Sequence, residues 1–130
     1  MKNVINSSLS TLATLFIFLL GGWDISLQLL IIVMGLDYLT GVLKAIYNKE
    51  VSSEVGLKGI IKKAGYLVIV SLSVILDRIT GETGAMRTLV IYFFVANEGI
   101  SILENWGGMG LPLPQKIFDV LRDIKQRGDN

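Results

Sequence analysis

The sequence predicts an all-α integral membrane protein with three to four transmembrane helices and a C-terminal amphipathic cytoplasmic helix. Three observations carry that prediction. Hydrophobic residues make up 52% of the chain against 18% charged, and the mean hydropathy of +0.60 is too high for an ordinary water-borne domain of this size. The apolar residues fall in blocks rather than being spread evenly. Across residues 25–46 the only charged or amide side chains are Gln28, Asp37 and Lys44, and a helix of that length measures about 33 Å, enough to cross a hydrocarbon core of about 30 Å. At 130 residues the chain is expected to be one membrane domain, 1–130.

The first block, residues 4–20, carries Asn6, Ser7, Ser8, Ser10, Thr11 and Thr14, and is densely apolar only from Leu9 to Leu20. It is short for a span. Three alternatives stand: a marginal transmembrane helix, an interfacial helix, or a cleaved signal segment lacking an A-x-A-like site. Gly21 and Gly22 break the helix, and Trp23 suits the membrane interface. After the second block, 25–46, comes a polar segment in which Ser52 and Ser53 are candidate helix caps and Glu54 lies in the first turn. Leu57, Ile60 and Ile61 alternate there with Lys58, Lys62 and Lys63, giving a short basic amphipathic piece or a solvated loop. The third span covers 60–77 and ends at Asp77; after a short turn the fourth covers 86–104. Glycines and prolines in GGMGLPLP stop it. In the tail, 114–126, Ile117, Val120, Leu121 and Ile124 recur at helical spacing, opposite Lys116, Asp119, Arg122, Asp123 and Lys125.

Positive charge sets the orientation. The central loop holds Lys44, Lys49, Lys58, Lys62 and Lys63, and the tail holds Lys116, Arg122, Lys125 and Arg127. The turn at 21–24 has no basic residue. Four spans with both termini in the cytoplasm, or three with the N-terminus outside, place the central loop and the C-terminus inside. The location expected is therefore a bacterial cytoplasmic membrane, crossed several times.

Absent residues narrow the chemistry. Without Cys or His there is no disulfide, no thiolate or imidazole metal site and no Ser/His or Cys/His nucleophile. A net charge of +1 gives nucleic acid no electrostatic hold. No catalytic residue, metal site or cofactor is expected, and the chain reads as a non-enzyme.

The polar residues inside the spans are the candidate site. A charge near a helix centre costs roughly 2.5–3.5 kcal/mol on insertion scales, so Asp37 needs an offset from other copies of the chain or from its own fourth helix. Asp37 precedes Lys44 by seven residues, Asn97 precedes Glu104 by seven, and Glu98 precedes Asn105 by seven. Each pair shares a helix face. Asn97, Glu98, Ser101, Glu104 and Asn105 thus make one stripe, while Asp37, Gly41 and Ala45 make a ridge with Lys44 beside it. Gly41-x-x-x-Ala45 permits close helix approach. The second and fourth helices run in the same direction and are expected to touch, within or between subunits, with Lys44 near Glu104 and Asp37 near Asn97. Asp77 and Arg87 are expected to pair across the opposite turn. Snorkelling of Lys44 and Glu104 to the interface is the plainer alternative.

These residues are also where the chain resembles a known family, the toxin-secretion and phage-lysis holins. The matching pieces are GGWD at Gly21, LDYLTG at Leu36, SSEVGLKGIIKK at Ser52, ILD at Ile75, Arg87, NEGISILEN at Asn97 and GLPLP at Gly110. The resemblance implies a small helical protein that gathers as a homo-oligomer in the bacterial cytoplasmic membrane and opens non-specific lesions at a set time. Its partners would be itself and the lipid bilayer, functionally an endolysin or exported toxin, and an antiholin. Two other readings use the same features: a small ion-coupled transporter or channel working through Asp37 or Glu98, and a membrane anchor whose tail binds a soluble partner.

Overall fold

The computed structural model describes residues 1–129, which form five helices: α1 (Lys2–Leu19), α2 (Ile25–Tyr47), α3 (Ser53–Thr80), α4 (Ala85–Gly108) and α5 (Gln115–Asp129). There is no strand among the described residues. Each boundary has a local cause. Gly21 and Gly22 sit at positive φ and turn the chain between α1 and α2. Asp24 caps α2, its carboxylate accepting the Leu27 N–H at 3.0 Å. Gly81 ends α3 in the left-handed conformation, its N–H returning to the Asp77 carbonyl.

Three of the helices, α2, α3 and α4, are long and apolar enough to cross a membrane. The sequence placed the third span at 60–77. The helix instead runs unbroken from Ser53 to Thr80, absorbing the polar segment that precedes the apolar block. Gly56, Gly59 and Gly65 cost about 1 kcal/mol each relative to alanine, which slows a helix but does not stop it. No proline interrupts this stretch.

α2 and α4 lie parallel. Asp24 meets Arg87 at one end, and the Asn48 side chain donates to the Gly108 carbonyl at the other. α3 returns antiparallel against both. The core is small: Leu27, Leu30 and Met34 of α2, Tyr66 and Val70 of α3, and Ile91 and Phe94 of α4. Tyr66 stacks on Phe94 with ring centroids 4.0 Å apart. Outside it, Leu29, Ile32, Leu36 and Leu39 of α2 and Val68, Leu72, Ile75 and Ile79 of α3 are exposed. In water such a surface would aggregate; in a bilayer it is the lipid-facing side.

The amphipathic tail helix is present, but it does not extend away from the spans. α5 folds back along α4, with Leu121 seated on Gly99 and Gly128 against Phe93. Phe118 and Ile124 are half-covered on the same side, while Lys116, Asp119, Arg122 and Asp123 face outward. α1 contrasts with the three spans, for none of its residues is buried. Only its C-terminal end is held, where the Arg78 guanidinium lies 4.2 Å from the Phe18 ring centroid.

Candidate functional site: a polar cluster within the spans

Midway along the bundle, side chains from three helices converge. Asp37 lies halfway along α2 with 8% of its surface exposed, and Glu98 halfway along α4 with none. The Lys63 ammonium of α3 reaches both, donating to Asp37 Oδ2 at 2.6 Å and Glu98 Oε2 at 2.8 Å. Asn105 extends the cluster from α4, donating to the Asp37 carbonyl at 3.2 Å, to Asp37 Oδ1 at 3.2 Å and to the Thr40 hydroxyl at 2.9 Å. On the other side Asn97 donates to the Tyr66 hydroxyl at 2.6 Å. Among the described residues one buried side-chain atom stays without a partner: Glu98 Oε1. Two carboxylates therefore share one ammonium in low-dielectric surroundings, where each missing partner is expensive.

The expected contact between α2 and α4 exists within one chain, but its partners differ. Asp37 accepts from Asn105, not Asn97, and Asn97 turns to Tyr66 instead. Lys44 packs its stem against Gly108 and forms no ion pair with Glu104, which is exposed. Among the described residues neither takes part in a salt bridge. The difference is one of helix face: Asn97 lies on the side of α4 that meets Tyr66 of α3, and Asn105 on the side that meets Asp37 and Thr40 of α2. Gly41 faces Asn105, 3.7 Å from where its Cβ would be, so the close approach at this ridge is used against a polar side chain. Ala45 and Ser101 are half-buried beside it.

The offset for Asp37 also comes from an unexpected quarter. Lys63 of the third helix supplies it, rather than the fourth helix or another copy. Sequence reading left Lys63 in a basic loop or amphipathic piece. The signal that marks it is periodicity: Lys63, Tyr66, Val70, Ser73 and Asp77 recur at alternating spacings of three and four, and all but Lys63 are buried. They form the one inward face of α3.

The Arg87 end is a second polar site of different character. Arg87 Nε donates to the Leu20 carbonyl at 2.7 Å, and its terminal nitrogens donate to both Asp24 oxygens at 2.7 and 3.1 Å and to the Gly22 carbonyl at 3.1 Å. A Cβ on Gly21 would stand 2.5 Å from Arg87 Nε, so the close fit requires glycine there. The hydrogen bonds from Arg87 hold the Asp24 carboxyl below the usual carboxylate range. Asp77 and Arg87 do meet across the turn, but through the backbone: Asp77 accepts the Met86 and Arg87 N–H groups at 2.9 and 3.0 Å and so caps α4.

A cleft of about 800 Å³ opens between the C-terminal half of α2 and the N-terminal half of α3, and its floor is Asp37, Lys63, Ser101 and Asn105. Among the described residues no group of acidic side chains is arranged to hold a metal ion.

Comparison with known proteins now bears on this arrangement of parallel spans around buried charge. The bacteriophage holin family model matches residues 14–126, nearly the whole of the bundle. The chain belongs to the bacteriophage holin family. It is a holin-type, multi-pass membrane protein. Among its relatives is the uncharacterized 14.9 kDa protein in the nagH 3' region of Clostridium perfringens, 44% identical over 98% of this chain and 99% of the relative. Another C. perfringens protein, CPE0383, is 42% identical over 91% and 88%. Lmo0128 of Listeria monocytogenes is 34% identical over 93% and 86%. No solved structure matches.

Proposed function

We propose that this holin-family chain accumulates in the bacterial cytoplasmic membrane, oligomerises, and opens non-specific lesions. Through these an endolysin, or in a toxin-producing cell an exported toxin, reaches the wall or the exterior, which times lysis. The observation that carries the reading is the mid-span cluster. Lys63, Asp37, Glu98 and Asn105 satisfy most of one another's bonds inside a protomer, leaving only Glu98 Oε1 unpartnered, so a single copy is tolerable in lipid without leaking. The same groups are polar enough to line water once helices of many copies separate and regroup. Gathering of that kind depends steeply on concentration, as a timed event requires. The polar seam is proposed to comprise Asp37, Gly41, Lys44, Ala45, Asn97, Glu98, Ser101, Glu104 and Asn105, with Lys63 added. The Asn48 end of the bundle, rich in lysine, is proposed to face the cytoplasm. An antiholin would act by occupying the same helix faces.

Expression in bacteria while membrane potential is followed, with an endolysin then supplied, tests this. Sudden loss of potential followed by lysis is expected. One observation favours a second reading, a small ion-coupled transporter or channel: the cleft reaches the Asp37–Lys63 pair from one end of the bundle. Saturable flux of one ion in surviving cells would replace the holin reading with that one.

A further inference from the structure

Ahead of Phe16, α1 is open on every face among the described residues, and its side chains are not randomly placed. At 3.6 residues per turn, Asn3, Asn6, Ser7, Ser10, Thr11 and Thr14 fall on one face, with Ile5, Leu9, Leu12 and Phe16 opposite. The Thr11 and Thr14 hydroxyls turn inward to the Ser7 and Ser10 carbonyls. The Asn3, Asn6, Ser7 and Ser10 side chains make no hydrogen bond among the described residues. An amide and hydroxyl face of this kind is poorly suited to hydrocarbon but well suited to packing against another helix.

The α2–α3 cleft is the complementary surface. Its walls include Gly41, Gly56 and Gly59, which allow a helix to approach closely, and its floor offers the donors and acceptors of the polar cluster. Depth agrees as well. Leu20 sits at the Arg87 end, and Ser7 is about 20 Å along α1 from it; Asp37 is about 20 Å along α2 from Asp24 at that same end. Asn3 then falls level with Gly41 and Gly59. Charge agrees too. Lys2 is the one charged side chain of α1, and it points from just beyond Asn3 toward the mouth of the cleft, where Glu50 makes no ion pair among the described residues. Lys44, on the same rim, is turned to Gly108.

We infer that the α2–α3 cleft of one protomer receives the polar face of α1 from a second copy of this chain. The inference rests on the proposed oligomerisation and specifies its contact. Most of α1 lies ahead of residue 14, where the family match begins, so nothing in that match supplies the contact. Each protomer offers one α1 and one cleft, so the contact is head-to-tail and propagates to a ring or a larger array.

Cysteine cross-linking in membranes tests it, because the chain has no cysteine of its own. Chains carrying Asn3→Cys and chains carrying Gly59→Cys, with different tags, are co-expressed and oxidised. Mixed dimers are expected at ten or more times the yield given by Ile5→Cys, which lies at similar depth on the opposite face. Gly59 has no atom within 4 Å of an added Cβ, so that substitution leaves its own chain undisturbed. Adding Val42→Trp, which fills the cleft from its exposed wall, is expected to lower the mixed-dimer yield at least fivefold. Equal yields from Asn3→Cys and Ile5→Cys, or no effect of Val42→Trp, would overturn the inference. So would a chain carrying both cysteines that oxidises fully without dimerising, since its own α1 then fills the cleft. If cross-linking fails while the chains sediment as oligomers and depolarise cells, only the contact is wrong. If they stay monomeric and depolarise nothing, the functional reading falls with it.

Discussion

The Arg87 end and the middle of the bundle each hold buried charge, yet at the first the buried Arg87 meets an exposed Asp24 and in the middle both carboxylates are buried. At the Arg87 end one guanidinium meets one carboxylate and two carbonyls, and every partner is a close neighbour in a turn that glycine makes tight. In the middle two carboxylates compete for one lysine, and one buried oxygen has no partner at all. A complete network resists rearrangement, whereas an incomplete one leaves alternatives of similar energy. The outer staple ties the start of α4 to the start of α2, and in the proposed function the midspan cluster is where the helices would exchange partners.

The largest expected effect comes from Lys63→Met, which leaves Asp37 and Glu98 buried together without a cation. It should destabilise the fold by about 3–5 kcal/mol, read as a lowered unfolding midpoint in detergent micelles. A loss under 1 kcal/mol would mean that the cluster is already hydrated and the contrast between the two regions false. Arg87→Ala comes next. Four hydrogen bonds disappear, with an expected loss of about 2–3 kcal/mol and faster proteolysis at the Gly21–Asp24 turn. Arg87→Lys should recover little of it, because an ammonium cannot span both Asp24 oxygens and the two carbonyls.

Glu98→Gln sharpens the comparison from the other side. It removes the surplus negative charge, keeps an oxygen for Lys63 and puts an amide NH2 where the unpartnered oxygen stands, beside the Asp37 carboxylate. The loss of charge and the new buried donor offset, so stability should change by less than about 1 kcal/mol, in the same micelle assay. The smallest effect is that of acid. Asp24 holds its proton less tightly in the fold than in the unfolded chain, so its contribution is complete above the ordinary carboxylate value near about 4. It is lost as pH falls through the lowered folded value. Turn proteolysis, followed with an acid-active protease, should therefore be flat from pH 7 to 5 and rise only in stronger acid.

Much of the bundle was legible in the chain. The long apolar run at 25–46 and the glycine and proline stops around the fourth block put α2 and α4 within a few residues of their bounds. Asp37 and Glu98 declared themselves by being charged where lipid would be. What could not be read was register and partnership. Spacings of seven pair Asn97 with Glu104 and Glu98 with Asn105 equally well, so the stripe alone does not say which of them meets Asp37; that is settled by contacts between distant turns. Lys63 was hidden because three lysines in six residues look like a solvated edge. Its role appears once the spacing through Tyr66, Val70 and Ser73 is followed into the apolar block. The return of α5 onto α4 depends on Gly99 accommodating Leu121, a fit that no periodicity announces.

The central claim is that copies closed upon themselves in lipid open together into a non-selective lesion. Release of a large entrapped dextran from vesicles of bacterial lipid, followed as the number of chains per vesicle is raised, tests it most directly. Release should be absent at low copy number, appear over a narrow range, and be nearly independent of dextran size. Flux proportional to copy number from the first chains, confined to small ions, would contradict it.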